Sequence, residues 1–573
     1  MKRLITMLVA ALPLIVSAQS KNVTVDSVGQ LSKQIENSEK FKIAELKISG
    51  PLNSADVKLL QQIVNRSKAS EKKGECVVTS VDLSEVVFTD GKSDKPTTTL
   101  PNGLFSGASK LQRAVLPTKI TAISKNCFED CESLAAIAIP ETVTEISSQA
   151  FQGCEALTAI SLPQGVKTIG DEAFEECKSL TAIEIPESVT KLGSQAFNAC
   201  KALATVNILG KISEIDNSTF KGCESLTSIS LPESVKSIGN DAFRDCQALA
   251  EIILPEGISE IGNSAFEDCQ ALATIDLSKV KKIGSNAFED CKSLTSVSFD
   301  QLDKLGNGVF KNCVTLSSAT LQGSLDEVDA NTFLGCTSLN TVSLPASVKT
   351  IGDNAFEKCQ SLSAIELPVA LTKIGSEAFE ECSSLRQVVI PSMVKSLGSS
   401  AFEGCVTLDS VAINGIIPEI NSKTFYRCSA LRHVSIPASV KKIETKAFQE
   451  CVALQSVSLP VALTSIGDDA FEKCTSLGSI KIPVAVTSIG SDAFLECAML
   501  SSVELSTALK KIGGSAFAKC ASLREVILRS PAPPSISKST FKDSAPTFII
   551  PRGSLAVYIA NKDWKHISGY KEQ

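Results

Sequence analysis

Residues 154–176 read Cys154-Glu-Ala-Leu157-Thr-Ala-Ile160-Ser-Leu162-Pro163-Gln-Gly-Val166-Lys-Thr-Ile169-Gly170-Asp-Glu-Ala173-Phe174-Glu-Glu, and this pattern recurs from about residue 100 to residue 545. Eighteen cysteines, the first Cys131 and the last Cys520, return every 23 residues, apart from two steps of 22 that end at Cys291 and Cys313. A Phe stands three residues before each of them. A period of this length predicts a stack of similar coils and not a series of independent globular domains.

Each coil is predicted to begin with a short strand. Leu157, Ile160 and Leu162 resemble the core of such a strand, and Ser161 alternates between the last two as a strand with one buried face requires. Pro163 ends the strand because proline has no N–H to donate to a sheet. A single coil could not bury these apolar side chains alone, so neighbouring coils must supply the core by stacking.

The second half of each coil turns the chain back. Val166 and Ile169 predict another short buried segment on a different side of the coil. We expect Gly170 to permit a tight turn, and residues 171–174 to form one helical or 3₁₀ turn that directs Phe174 inward. The predicted fold is a mainly β repeat solenoid of about 20 coils, with short parallel strands and short helical turns.

The repeat resembles the BspA-like, or Treponema-type, bacterial leucine-rich repeat, whose pattern L-x-x-I-x-L-P-x-x-V-x-x-I-G-x-x-A-F-x-x-C is present at residues 157–177. Residues 46–56 and 81–84 are similar to the N-terminal cap of exported members from Bacteroidetes, and residues 549–554 with Tyr558 and Trp564 are similar to their C-terminal cap. The resemblance implies a leucine-rich-repeat solenoid at 101–545 between caps at 19–100 and 546–573. It also implies a secreted or surface-displayed binding protein, often one that adheres to host proteins or to other microbes.

The N-terminus predicts export. Lys2 and Arg3 precede an apolar stretch of 13 residues, and Val16 and Ala18 have the spacing of a cleavage site. Residues 1–18 therefore read as a cleavable signal peptide. A membrane anchor is the alternative, but a membrane span needs roughly 20 apolar residues. We expect no integral membrane segment after cleavage.

Charge disfavours one class of partner. Lys plus Arg total 56 against 63 Asp plus Glu, which gives a formal net charge of −7. Because nucleic acids bind basic surfaces, we predict no nucleic-acid partner.

The regular cysteines are interpreted as small buried core residues with free thiols. Partial disulfide bonding is an alternative for an exported chain; bound metal is another, although Cys127 and Cys131 are the only closely spaced pair. The Phe series is likewise interpreted as core and not as an aromatic binding stripe. The structural ladder is represented by Cys154, Cys177, Cys200, Phe151, Phe174 and Phe197.

Catalytic signals are absent from the sequence. His433 and His566 are the two histidines, and there is no phosphate-binding loop, no nucleophile elbow and no dinucleotide-binding glycine motif. We predict a protein that is not an enzyme, with no catalytic residue, no cofactor and no metal site.

The exposed residues of the first strand predict the binding surface. They are mostly small and polar, as in Ser161, Asn207 and Ser230, which suits an extended protein or peptide partner on a concave strand face. One segment differs because it places large polar groups on neighbouring coils. We predict a binding site there, formed by Arg386, Gln387, Asp409, Arg432 and His433; a solvated ladder of alternating charges is the alternative.

These observations predict an exported, non-enzymatic solenoid that binds a host or microbial protein. Secretion or cell-surface display as an adhesin or ligand-capture protein is the leading hypothesis. A scaffold or structural role in the periplasm is the alternative.

Overall fold

The computed structural model describes residues 19–65, 77–90 and 94–573. The predicted signal peptide, residues 1–18, lies outside the described residues. The contacts between residues group the chain into two compact units, Met1–Pro232 and Glu233–Gln573.

The first unit begins with a parallel sheet that contains long strands. Its elements are β1 (Gln19–Thr24), α1 (Leu31–Gln34), β2 (Ile43–Leu52), α2 (Ser54–Val64), β3 (Ser80–Phe88) and β4 (Arg113–Val115). The strands follow the order β1-β2-β3-β4, and Val81 in β3 lies beside Ala114 in β4. The sheet therefore leads directly into the first repeat coil.

Helix α2 covers the first coil. Asn53 and Asp56 form a capping box at the start of α2, so the helix begins at a defined residue. Near its other end, the side-chain amide of Gln61 donates to the carbonyl oxygen of Gly103 at 2.9 Å, and that of Asn65 donates to the carbonyl oxygen of Ser106. These amides satisfy carbonyl groups that would otherwise face outward from the coil.

Two kinds of strand follow in the repeats of the first unit: strands of three or four residues and strands of two residues. They are β5 (Ala122–Ile123), β6 (Glu145–Ile146), β7 (Thr168–Ile169), β8 (Ala182–Ile185), β9 (Lys191–Leu192), β10 (Thr205–Ile208), β11 (Glu214–Ile215) and β12 (Ser228–Ser230). The longer strands pair in the order β8-β10-β12, and the short ones in the order β5-β6-β7-β9. Most coils thus contribute to a ladder of two-residue strands, and some also to a ladder of longer strands on a different side. The prediction of a first strand in each coil is wrong for residues 160–162, which form no strand.

The second unit continues the same arrangement. Its elements are β13 (Ser237–Ile238), β14 (Glu260–Ile261), β15 (Lys282–Ile283), β16 (Ser296–Leu302), β17 (Lys304–Leu305), β18 (Ser318–Gly323), β19 (Glu327–Val328), β20 (Thr341–Ser343), β21 (Thr350–Ile351), β22 (Lys373–Ile374), β23 (Gln387–Ile390), β24 (Ser396–Leu397), β25 (Ser410–Ile413), β26 (Glu419–Ile420), β27 (His433–Ser435), β28 (Lys442–Ile443), β29 (Ser465–Ile466), β30 (Ser479–Lys481), β31 (Ser488–Ile489), β32 (Ser502–Leu505), β33 (Lys511–Ile512), β34 (Glu525–Leu528), β35 (Thr547–Ile550), α3 (Leu555–Ala560) and β36 (Tyr570–Glu572). The longer strands form the sheets β16-β18-β20, β23-β25-β27 and β30-β32-β34-β35-β36. The parallel solenoid predicted from the repeat is confirmed.

The segment between the two-residue strand and the Phe forms hydrogen-bonded turns, where the sequence suggested a helical or 3₁₀ turn. Glu172 and Glu176 have left-handed backbones, with φ of 57° and 56°, and such residues interrupt a helix. They reorient the peptide groups, so that the N–H of Glu172 donates to Ser194 O and the N–H of Phe174 to Ala196 O in the next coil, at 2.9 and 2.8 Å. Contact between coils therefore decides the conformation of the turn.

Gly170 has a different role from the one predicted. Its φ does not lie in the left-handed region, but an added Cβ would lie 2.5 Å from the backbone nitrogen of Ser148 in the preceding coil. Glycine at this position permits close approach of two coils, whereas the left-handed φ values belong to the residues that follow it.

The core of each unit contains a column of phenylalanine rings. Phe151, Phe174 and Phe197 are fully buried, and their ring centroids lie 5.3 Å apart with interplanar angles of 5° or less. In the second unit the same column runs from Phe243 to Phe541. The rings are nearly parallel, and their separation is typical of offset stacking.

The cysteines lie beside this column, and their thiols donate hydrogen bonds to backbone carbonyl groups of its phenylalanines. The Sγ atom of Cys177 donates to the carbonyl oxygen of Phe151 at 3.3 Å, and that of Cys200 donates to the carbonyl oxygen of Phe174 at 3.1 Å. In the last coil, where Ser544 replaces the cysteine, its hydroxyl donates to the carbonyl oxygen of Phe517 at 2.8 Å. Because the buried Ala108 fills the same position in the first coil, the position requires a small side chain, and its cysteine and serine occupants also donate a hydrogen bond.

All cysteines within the described residues, Cys154 among them, are free and buried. Burial raises the pKa of the Cys200 thiol to about 12, because the charged thiolate is unfavourable in an apolar surrounding. A thiol with this pKa is a poor nucleophile at neutral pH.

Aromatic side chains cover the last coil. The indole N–H of Trp564 donates to Pro534 O at 2.6 Å, and the hydroxyl of Tyr558 donates to Ser530 O at 2.8 Å. The rings of Trp564 and Tyr558 pack edge to face, 5.4 Å apart. These contacts fix α3 and the preceding loop to the end of the second unit.

Truncation of a central ring should destabilise the stack. We expect Phe402→Ala to lower the free energy of unfolding by roughly 3–5 kcal/mol, because the cavity would separate two stacked neighbours. The exposed Val406 of the same coil provides the control, and Val406→Ala should have little effect. Urea denaturation followed by circular dichroism measures both. An equal loss of unfolding free energy in the two variants would show that the Phe402 ring does not stabilise the stack.

The thiols should be unreactive until the protein unfolds. In native protein we expect almost no reaction of Ellman's reagent with the cysteines of the described residues, because their thiols are buried and burial raises thiol pKa values, as at Cys200. In denaturant without reductant, unfolding should expose about 20 reactive thiols, the number of cysteines in the chain. A count far below this would indicate disulfide bonds.

Candidate functional site

Each unit has a strand face, which we define as the outward-pointing residues of its longer strands. In the first unit, Glu184, Asn207 and Ser230 lie side by side on β8, β10 and β12, while Ile183 and Val206 point into the core. The predicted alternation of exposed and buried residues is thus present in the structure. Since the backbone spacing is fixed, the strand face presents side chains in regular rows.

One groove of the strand face lies near the start of the first unit. It has a volume of about 880 Å³ and is lined by residues of three coils, among them Arg113, Ala136, Ala138 and Ser161. Residues 136–139 make no backbone hydrogen bond to any residue that the structure describes. Small side chains and unpaired peptide groups leave this groove open.

The structure brings the predicted binding residues together on the second unit. The N–H of Asp409 donates to Arg386 O, and the N–H of Arg432 donates to Asp409 O, both at 2.9 Å. Gln387 and His433 both pair with Ser410 in the sheet β23-β25-β27. Two rows of polar side chains therefore cross three neighbouring coils, as the sequence predicts.

The charges in these rows are only partly compensated. Nε of Arg432 lies 3.7 Å from Oδ1 of Asp409, and this oxygen is shielded from solvent without a hydrogen bond. Arg386 is exposed and makes no side-chain hydrogen bond or ion pair with the described residues. A row with one unpaired arginine differs from a ladder of mutually neutralised charges, although its role in binding remains a prediction.

The same coils carry exposed apolar residues. Val389 is exposed within β23, at a strand position where the sequence predicts exposure. Met393 and Ile416, which the sequence prediction did not include, are exposed just past the ends of β23 and β25. The pattern contained a signal, because the two residues after the proline are acidic or small in most earlier coils, as in Glu141-Thr142 and Glu187-Ser188. Following these positions beyond Pro391 would have found the change.

A half-buried glutamate lies on the turn side of the second unit. Burial is the main cause that raises the pKa of Glu380 to about 7, and the neighbouring Glu403 and Glu377 add to it. Glu357 has a partner, since Nζ of Lys358 lies 2.5 Å from its Oε1. Glu380 makes no such contact with the described residues.

The described residues contain neither a candidate metal site nor a candidate membrane span. No group of three or more His, Cys, Asp or Glu side chains there is arranged to hold a metal ion. No helix in the described ranges is long and apolar enough to cross a membrane.

The geometry above, with parallel strands and a 23-residue apolar pattern, defines a leucine-rich-repeat solenoid. The family model of the BspA-type leucine-rich repeat region matches residues 98–227, 213–339, 303–432 and 418–547. The chain belongs to this family, since the matches span more than three quarters of it. No curated protein matches the chain.

Solved structures of bacterial leucine-rich repeat proteins are similar to this chain. A leucine-rich repeat protein from Bacteroides ovatus is 34% identical with a TM-score of 0.51, and the match covers 55% of this chain and 82% of that one. A leucine-rich cell surface protein from Faecalibacterium prausnitzii is 25% identical with a TM-score of 0.36, covering 56% and 91%. A leucine-rich repeat protein of T. pallidum is 28% identical with a TM-score of 0.25, covering 32% and 77%.

The raised pKa of Glu380 should make stability depend on pH. Because the folded state binds this proton more tightly than the unfolded state, its contribution to stability is complete below pH ~4.5 and is lost as pH rises through about 7. We therefore expect Glu380→Gln to be more stable than the wild type at pH 8, and to show a flatter dependence between pH 5 and 8.

Thermal unfolding across that pH range measures the effect. The exposed Glu366 supplies the control, and Glu366→Gln should leave the pH dependence as it is in the wild type. If the melting temperature of Glu380→Gln changed with pH in parallel with that of the wild type, the carboxylate of Glu380 would be fully solvated in the folded protein.

Proposed function

We propose that this protein is an exported, non-enzymatic scaffold that binds another protein through its strand face. The main support is the strand face itself, where rigidly spaced rows of side chains cross successive coils. Repeat proteins use such extended surfaces, which are concave in many solenoids, to bind protein ligands. Membership of the BspA-type family supports the same class of function.

The partner we propose is a host or microbial protein, and the site is the row of Arg386, Gln387, Asp409, Arg432 and His433. Secretion or display on the cell surface as an adhesin or ligand-capture protein follows from the predicted signal peptide. No catalytic role is proposed, because the cysteines of the described residues are buried and both histidines lie in exposed positions of different regions.

We also propose that the chain is divided into two caps and a solenoid. Residues 19–100 and 546–573 would act as caps, and residues 101–545 would form the solenoid. The amides of Gln61 and Asn65 support the first cap, and Trp564 and Tyr558 support the second. Capping prevents association through exposed strand edges and apolar ends.

The location of the protein is tested by adding protease to intact cells. Antibodies against residues 101–545 should detect digestion without lysis, or should find the protein in the medium. Protection until the outer membrane is breached would instead place the protein in the periplasm and favour a scaffold of the envelope. A known periplasmic enzyme serves as the control for membrane integrity.

Loss of the arginines should weaken binding without affecting the fold. We expect the double variant Arg386→Ala/Arg432→Ala to lower affinity for a captured partner at least tenfold, because interface arginines are frequent binding anchors. The melting temperature should stay within about 1 °C of the wild type, since exposed charges contribute little to stability. Arg524→Ala, at the equivalent repeat position on another coil, is the control; an equal loss there would contradict this site.

A further inference from the structure

Three consecutive coils of the second unit combine cations with exposed apolar side chains. Val389 is 58% exposed, Met393 53% and Ile416 70%. The N–H of Ile416 donates to Val394 O at 2.9 Å, so the coils that carry Met393 and Ile416 are in direct contact there. Met393 and Ile416 therefore lie close together, and with Val389, four residues before Met393, we call them the apolar cluster.

The cluster lies at one end of the strands, and the arginines lie at the other. Arg386 precedes β23, Val389 is its third residue, and Met393 follows its end. At about 3.3 Å per residue, the Cα atoms of Arg386 and Val389 are roughly 10 Å apart. A ligand that lies along the strands would meet a cation first and apolar groups next.

The charge of this surface favours a carboxylate. Arg386 and Arg432 flank Asp409, so these three side chains together carry one positive charge, in a chain whose net charge is −7. The 3.7 Å separation between Arg432 and Asp409 is longer than a normal charged hydrogen bond. Both guanidinium groups can therefore donate hydrogen bonds to a ligand carboxylate without first breaking a strong internal pair.

We propose that the 386–432 patch, consisting of Arg386, Val389, Met393, Ile416 and Arg432, binds a polypeptide segment that presents a carboxylate about 10 Å from an apolar side chain. This proposal rests on the protein-binding function proposed above and gives its partner a chemistry. The carboxylate pairs with the guanidinium groups, and the apolar side chain covers the cluster and removes it from water. A carbohydrate would satisfy the cations but would gain little from three aliphatic side chains.

Selection from a random library of 12-residue peptides displayed on phage tests the proposal. The complete mature chain is immobilised, and recovered peptides are synthesised and measured by fluorescence polarisation at 150 mM NaCl. We expect the peptides to carry Asp or Glu within three or four residues of an apolar residue. Affinity should fall at least tenfold in Arg386→Glu/Arg432→Glu and at least fivefold in Met393→Ser/Ile416→Ser.

Matched variants provide the controls. Arg524→Glu reverses the charge at the equivalent position of another coil, and Val461→Ser/Val484→Ser removes two exposed valines elsewhere in the same unit; neither should change affinity. Circular dichroism and melting temperature verify the fold of each variant. Higher salt should weaken binding because it screens the ionic contact.

Several outcomes would overturn the proposal: peptides that lack a carboxylate, peptides that bind the patch variants and the wild type equally, or no specific peptide at all. Binding of heparin, used as an anionic polysaccharide probe, with the same dependence on the arginines would reassign the patch to glycans. Peptides that bind another part of the strand face would exclude this patch but leave the proposed function intact. The protease experiment on cells is independent of all these results.

Discussion

Backbone N–H groups in this protein donate mainly to neighbouring coils, and this arrangement shapes each coil. Within the coil 154–176, Thr158 donates backward to Ala135, while the turn residue Glu172 donates forward to Ser194. The left-handed backbone of residues such as Glu172 turns their N–H groups from the preceding coil to the next one. The thiols add a side-chain contact of the same kind, since each donates to a carbonyl group of the preceding coil. An isolated coil would leave these groups unpaired, so no coil is stable without its neighbours.

This dependence separates two classes of position. Positions such as Phe174 and Cys177 contact equivalent residues in the next coil, and a larger or charged side chain there would disturb both coils. Positions such as Val389 and Arg386 contact solvent, and the same backbone accepts almost any residue there. Chemistry that could distinguish one ligand from another is therefore confined to the exposed rows. The buried thiols, though numerous, are kept protonated and out of reach.

The sequence predicted the stack, its parallel strands and the buried ladders because a fixed period reports the same environment many times. It also placed Arg386, Asp409 and Arg432 in one row, since positions 23 residues apart must become neighbours. It misjudged Gly170, because close approach between coils cannot be read from a single coil. The turn conformation escaped prediction for the same reason: the hydrogen bonds that reorient Glu172 reach a residue 22 positions away. Met393 and Ile416 could have been found, because they break a pattern of acidic or small residues that most earlier coils show just past the first strand.

The uniform contacts between coils also affect how such a gene can change over generations. Removal of residues 178–200 would join Cys177 to Lys201 and would bring together coils whose facing surfaces already match, with Phe174 next to Phe220 in the column. Unequal recombination between repeats can thus delete or duplicate whole coils without passing through a misfolded product. Each such event shortens or lengthens the strand face by one row. The exposed residues of the two flanking coils then have different neighbours. Lineages can therefore vary the size of the recognition surface by inheritance of whole rows, while the core residues stay unchanged.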